Sequence, residues 1–487
     1  MKKTALFVLS AILLCLLPSC AQPENGEVQF SHYDITATYD EETRTLHATQ
    51  KVEFVNTYDV PLSDLVFRLY GNAFLTNEAV SASVRDKAYY KGDSVGSITI
   101  DSVTVDGTEA VPAFTDSRHS VRVDLNGEVF PDERVKVEMT FTLRLAEVIS
   151  RLGVTPSSVI LSHWHPVLAV LEDGEWVADD FTAIGDPFFS ECATYSVKLS
   201  VPQGYVAATG AKLLSQRAQG GMVTREYSAS RVRDFSVVLS RQFKTVSALS
   251  GSAMVTYYYL TDTAPEAALR TAQSALATFS EYFGAYPYPT FVLVESPLLY
   301  GGMEYSAMAV VDDSIKDKTQ VIAHEVAHQW WGQITGNNQI SHAFIDEGLA
   351  EWSTTQYYAS IGEMDVVKML REDHEKRYVL YLDVTAKMTG QVDTVMKKRL
   401  SQFVSEYEYE IIAYSKGYLM FDSLAELIGK DAMIAGLKTY FQENMFKTAS
   451  QNDLMAAIER GSSRRTEGIF SAWIDGRVTY YLLGKLN

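Results

Sequence analysis

The stretch VIAHEVAHQWWGQ, Val321 to Gln333, places two histidines four residues apart with a glutamate directly after the first. On an α-helix, residues four apart lie one turn above each other, so His324 and His328 can aim both imidazoles at one point, with Glu325 beside it. That pattern suits a zinc ion with an adjacent proton-accepting carboxylate. The bland alternative is a structural helix whose histidines are hydrogen-bonded inside a core. A third acid moves the balance, because catalytic zinc takes three protein ligands and leaves a fourth position open. Beyond His328, after the loop GQITGNNQI, comes Glu347 in IDEGLAEW. The Gly and Asn residues of that loop let a second helix fold back and carry Glu347 to the first. Otherwise Glu347 is a solvated carboxylate at a helix start.

The elements that must position these residues change character along the chain. From Tyr33 to about Leu145 the pattern is short alternating runs, clearest in VKVEMTFTLRL, where Val135, Val137, Met139, Phe141, Leu143 and Leu145 recur in period two. Such runs are strands with one wet face. TYSVKLSVP and DFSVVLS continue the pattern to about residue 245. Pro265 then opens a helical pattern with Leu269, Ala272, Ala275, Leu276, Phe279 and Phe283 on one face, and Asp262 or Thr263 is its expected cap. One more strand-like run, TFVLVES, precedes helical segments that continue to the C-terminus. At 487 residues and 47% hydrophobic composition, the chain is a globular protein of two or three domains.

His324, Glu325, His328 and Glu347 at this spacing resemble the gluzincin aminopeptidases, the family that includes aminopeptidase N and the leukotriene hydrolase/aminopeptidase. YDITATYDEETRTLHATQKVEFVN, GDPFFSECATYSVKLSVPQGYVAATG, RDFSVVLS and FGAYPYP resemble family segments in the same order, so the likeness runs from Tyr33 to about Trp473. It implies an all-β, saddle-like N-terminal domain over residues 31–245. A mostly helical, thermolysin-like α/β catalytic domain follows over 246–487, holding one Zn²⁺ through His324, His328 and Glu347, with Glu325 as catalytic base. GGMEYSA stands where the family has its Gly-x-Met-Glu-Asn motif, so Gly301, Gly302, Met303 and Glu304 are implied to bind substrate, Glu304 gripping a free α-amino group. YSKG matches the family's Tyr-x-Lys-Gly motif, which implies Tyr414 as the catalytic residue that stabilises the tetrahedral intermediate. Three departures stand out. Tyr305 replaces an asparagine after Glu304, Asp346 replaces one before Glu347, and only a handful of residues follow FSAWIDGRVTYYL, which resembles the close of the family's catalytic domain. The helical-repeat C-terminal domain of larger members is therefore expected to be missing.

The first nineteen residues carry Lys2 and Lys3 ahead of an apolar run from about Ala5 to Leu17, as in a secretory signal. Their end, LLPSC, resembles a bacterial lipobox with Cys20 as the acylated first residue of the mature chain and residues 20–30 as a tether. The other reading is an ordinary cleaved signal. The lipobox implies a bacterial cell-envelope protein, on the outer membrane or facing the periplasm, held by its lipid anchor alone. With Cys15 in the leader and Cys20 acylated, Cys192 has no partner and no disulfide is expected. The formal charge of −19, or −21 without Lys2 and Lys3, excludes nucleic acid and anionic lipid surfaces as partners. Nothing in the sequence fixes an oligomeric state. The leading expectation is a zinc aminopeptidase acting on peptides outside the cytoplasm. A zinc oligopeptidase or endopeptidase with an open cleft is the second, and a non-catalytic peptide-binding lipoprotein the third; the full set of ligands, base and tyrosine speaks against the last.

Overall fold

A computed structural model describes residues 29–478. The expected leader 1–19, Cys20 and the tether as far as residue 28 lie outside the described residues, as do 479–487. The alternating runs form an eight-stranded sheet. It crosses from Lys212–Gln219 at one edge through Met222–Val232, Ala193–Pro202, Ser31–Asp40, Thr45–Val55, Arg134–Arg144 and Ser97–Val105 to Thr108–Glu109. Its pairs are antiparallel except Ser31–Asp40 with Ala193–Pro202. Period two is visible in the burial: along Arg134–Arg144, Val135, Val137, Met139, Phe141 and Leu143 are buried and the residues between them are not. Two four-stranded sheets and the two-stranded ribbon Val170–Glu172 with Glu175–Val177 make up the rest of the β-rich region.

The next sheet has five strands in the order Lys244–Ser250, Ala253–Tyr259, Thr290–Ser296, Met308–Asp312, Gly302–Tyr305. Its first strand straddles the 245/246 boundary expected from sequence. Thr290–Ser296 pairs in parallel with both neighbours and is buried nearly throughout, with Phe291, Val292, Leu293 and Val294 at its centre. Gly302–Tyr305 is the antiparallel edge strand. The helix Pro265–Phe283 buries the six residues of the expected stripe. Its N-cap is Ala264; Asp262 instead accepts the Ala264 N–H at 2.8 Å, one step outside the helix.

Four further helices matter for the site: Thr319–Ala327, Phe344–Ser360, Met364–Thr389 and Gly417–Ile428. One apolar cluster runs from Tyr33 to Ile474, so the β-rich region and the helical lobe share a core. Arg233 pins the two together. Its guanidinium, buried at the junction, donates to the carbonyls of Ser190 at 2.6 Å, Lys447 at 2.7 Å and Gln333 at 2.8 Å.

Candidate active site

His324 lies in the last turn of Thr319–Ala327, and His328 caps that helix in αR geometry. Glu347 stands in the first turn of Phe344–Ser360, which packs against it. The two Nε2 atoms are 3.0 Å apart, and Glu347 Oε2 is 3.4 Å from His324 Nε2 and 3.3 Å from His328 Nε2. The other ring nitrogens fix the tautomers. His324 Nδ1 faces the Glu351 carboxylate at 3.2 Å and His328 Nδ1 faces the Trp331 carbonyl at 3.1 Å. Both of those oxygens only accept, so each Nδ1 carries the proton and each Nε2 turns a lone pair inward. Glu347 Oε2 is buried with no donor. Lone pairs converging on one point call for a cation, and the three spacings match the edge, about 3.3 Å, of a tetrahedron with bonds of about 2.0–2.1 Å to zinc.

A second trio, Glu304, His328 and Asp346, also brings its ligand atoms within 4.8 Å. It suits a metal less well. The Gln339 amide already bridges its carboxylates, donating to Asp346 Oδ2 at 2.6 Å and to Glu304 Oε1 at 3.2 Å. Asp346 takes a further hydrogen bond from Asn337 at 2.8 Å, and burial, reinforced by the neighbouring Glu347 charge, pushes its carboxyl up to about 8.

The electrostatics separate two glutamates that share the cleft. Burial opposes charge on Glu347, but His328 and His324 beside it hold its carboxyl well below the usual range. Glu325, also buried, is pushed up to about 8 by that burial and by the anions Glu304 and Glu347, with His324 opposing. Of the two carboxylates, Glu347 thus favours the ionised form and Glu325 binds a proton far more readily.

Each residue of GGMEY has a separate job. Gly301 turns with φ +84°, in the left-handed region that glycine favours. A Cβ on Gly302 would lie 2.2 Å from Glu325 Oε1, so glycine there lets the strand backbone pass beside that carboxylate. Gly302, Met303 and Glu304 line the cleft, while Tyr305 alternates to the opposite face and packs against His163 in the core. The Gln329 side chain holds this strand to the motif helix, donating to the Tyr305 carbonyl at 3.0 Å and accepting from the Ala307 N–H at 2.9 Å.

YSKG is similarly divided. Tyr414 sits in a π-helical turn, Glu410–Lys416, its ring stacked on His324 at 5.9 Å between centroids; such turns widen the helix locally and re-aim side chains. Lys416 is fully buried and donates to the carbonyls of Thr394 and Trp473, anchoring the turn. Gly417 meets Gly348 backbone to backbone, which brings Tyr414 close to the Glu347 helix.

These residues line a cavity of about 330 Å³ that joins a second of about 500 Å³, the two sharing Arg151, Asp186, Tyr300, Gln320, Glu351 and Tyr414. Several of these were not singled out from sequence. Arg151 and Asp186 form a buried ion pair contributed by the β-rich region, and burial, partly offset by Arg151, pushes Asp186 up to about 7. Nothing in the local sequence marks that pair. Tyr409, whose hydroxyl is 3.5 Å from Glu347 Oε1, is equally silent. Glu351 had a signal, since it falls one helical turn after Glu347 and so on the same face.

A β-rich region, a mixed five-stranded sheet and a helical lobe surround a His-Glu-x-x-His helix with a downstream glutamate, an arrangement similar to the zinc site of the gluzincins. Residues 267–473 match the model of the peptidase family M1 domain. Aminopeptidase M1 of Arabidopsis thaliana is 23% identical, over 58% of this chain and 34% of its own length. Aminopeptidase N of Lactobacillus delbrueckii subsp. lactis is 22% identical, over 78% of this chain and 46% of its own. The chain therefore spans less than half the length of either relative. An M1 zinc metallopeptidase from Deinococcus radiodurans superposes with a TM-score of 0.65 at 18% identity, covering 93% of this chain and 95% of that one. A mutant of it bound to a Tyr-Ser-Ala substrate gives 0.65 at 16% identity, covering 92% and 94%. That likeness establishes the two-domain fold.

Proposed function

We propose that this chain is a zinc aminopeptidase that releases residues from the free N-terminus of peptides. The observation that carries the reading is Glu304. The residue is 4% exposed, and its carboxylate lines the cleft and lies within 4.8 Å of a ring nitrogen of His328. A buried anion beside the metal centre fits a substrate ammonium group and fixes which peptide bond reaches the metal. Zinc held by His324, His328 and Glu347 supplies Lewis acidity toward the scissile carbonyl and a lowered pKa for water. Glu325 accepts the proton from water and returns it to the leaving amine. Tyr414 donates its hydroxyl to the developing oxyanion, where a hydrogen bond counts most. The relatives' names and the substrate-bound Deinococcus structure support the same reading.

One peptide, free and N-acetylated, tests it with wild type and Glu304→Ala. Acetylation should lower wild-type kcat/KM about a hundredfold or more, since one partner of a buried charge pair left unmet costs ~3–5 kcal/mol. Glu304→Ala should lose most of the rate and most of that preference. Equal cleavage of both forms at an internal bond would assign an endopeptidase instead, and zinc binding without turnover of either form a peptide-binding protein.

We infer further that the protein works outside the cytoplasm on a lipid anchor at Cys20, a reading supported by the lysines, apolar run and LLPSC of the first twenty residues. Among the described residues no helix is long and apolar enough to cross a membrane. Cys20→Ala should move the protein from the membrane fraction to the soluble fraction or block its processing; a variant that still pellets with membranes would refute the anchor.

A further inference from the structure

His374 sits in the long polar helix Met364–Thr389, on a short buried stripe with Leu370 and Tyr378 one turn to either side. In the fold it stands behind the metal centre. Its Nε2 is 3.3 Å from Glu351 Oε2, and the other oxygen of that carboxylate, Oε1, is 3.2 Å from His324 Nδ1. The opposite nitrogen, Nδ1, lies 3.4 Å from Ser415 Oγ, next to Tyr414, and the ring stacks on Tyr418 with centroids 4.4 Å apart.

The hydrogens can be assigned without conflict. Glu351 only accepts, so it takes His324 Nδ1–H on one oxygen and His374 Nε2–H on the other, which leaves His374 Nδ1 as the acceptor for the Ser415 hydroxyl. All the contacts of Glu351 are then satisfied with both rings neutral. Without the His374 donor, the half-buried Oε2 at the cavity wall loses its protein partner, and the carboxylate is free to rotate away from His324. Groups that hydrogen-bond a ligating histidine set its ring orientation and basicity, and their loss weakens metal binding about 10–100-fold.

We propose that His374 is a positioning residue of the metal centre, fixing the ring and tautomer of His324 through Glu351; this rests on the zinc site argued above. It does not touch substrate in this role. The test compares the purified wild-type chain with His374→Phe, which keeps a ring against Tyr418 but no donor, and His374→Gln, whose amide N–H can replace Nε2–H toward Glu351. Zinc affinity is read by competition with a chromogenic chelator, and ligand geometry by the visible absorption of the cobalt(II)-substituted protein. His374→Phe should bind zinc about tenfold more weakly or worse and shift the cobalt bands, while His374→Gln should bind close to wild type. Wild-type affinity and spectrum in His374→Phe would overturn the proposal alone. So would a His374→Gln variant as weak as His374→Phe, which would assign the effect to packing on Tyr418. Wild type that holds no zinc would remove the functional reading and this one with it.

Discussion

Glu325 and Glu347 are two carboxylates in one cleft, driven to opposite proton affinities by their neighbours: Glu347 faces both histidines, whereas Glu325 is buried beside other anions. The consequence is testable by single substitutions. Glu325→Gln keeps the shape of the side chain and contributes nothing to the ligand set, so it should retain zinc and lose about 10²–10⁴ in kcat. Tyr414→Phe removes one hydroxyl from a ring already stacked on His324. It should also retain zinc, and lose about 10²–10³ in kcat with little change in KM. Metal analysis beside steady-state kinetics checks both. Loss of zinc in Glu325→Gln would make that glutamate a ligand, and unchanged turnover in Tyr414→Phe would return the tyrosine to a packing role.

At the scale of elements, the geometry of the site depends on two helices that touch without side chains between them. A Cβ added to Gly348 would lie 2.8 Å from Gly417 Cα and 3.0 Å from Phe421 Cε2, and backbone cannot yield as a flexible side chain does. Glu347 immediately precedes one glycine, and Tyr414 lies in the π-helical turn that ends at the other. Gly348→Ala should therefore cost about 1–3 kcal/mol in stability, the range for overpacking, and weaken zinc binding as well. Gly468→Ala provides the control: it is also in a helix, with nothing within 4 Å of the added carbon. Its higher helix propensity should leave stability unchanged or slightly raised. Urea unfolding with and without zinc separates the two effects. A Gly348→Ala protein with wild-type stability and zinc affinity would show that the crossing can relax.

Across the whole molecule, the cleft is made by both regions. The β-rich part contributes Arg151 and Asp186 and the helical lobe contributes the metal ligands, so their relative placement is part of the site. Arg233 is the polar element of that junction, with three carbonyls from separate parts of the chain bound to one guanidinium. Arg233→Met fills much of the same space but leaves the carbonyls of Ser190 and Gln333 without donors, while that of Lys447 keeps the Gly336 N–H at 3.0 Å. At ~1–3 kcal/mol for each unsatisfied group, it should destabilise the protein by about 2 kcal/mol or more. A shift of that size in the urea midpoint, with zinc affinity in the surviving folded fraction near wild type, would identify Arg233 as a clamp between the regions. A midpoint equal to wild type would assign the junction to its shared apolar core.

The sequence by itself determined what depends on local periodicity and on spacing within one helix or one motif. His324, Glu325 and His328 were legible because a helix turns every 3.6 residues, and the strands of the eight-stranded sheet because one of their faces is wet. Gly302 and Glu304 were legible through a motif, though not the reason for the glycine, which is the Glu325 carboxylate against its Cα. Only the tertiary structure decided what depends on chain-distant partners. Tyr305 alternates into the core instead of the cleft because the edge strand has a register that Gln329 holds from another element. Arg151 meets Asp186, and His374 meets Glu351, across loops whose course no local pattern specifies. A hydrogen bond between residues far apart in the chain leaves no periodic trace in the sequence, because its geometry is set by how whole elements pack.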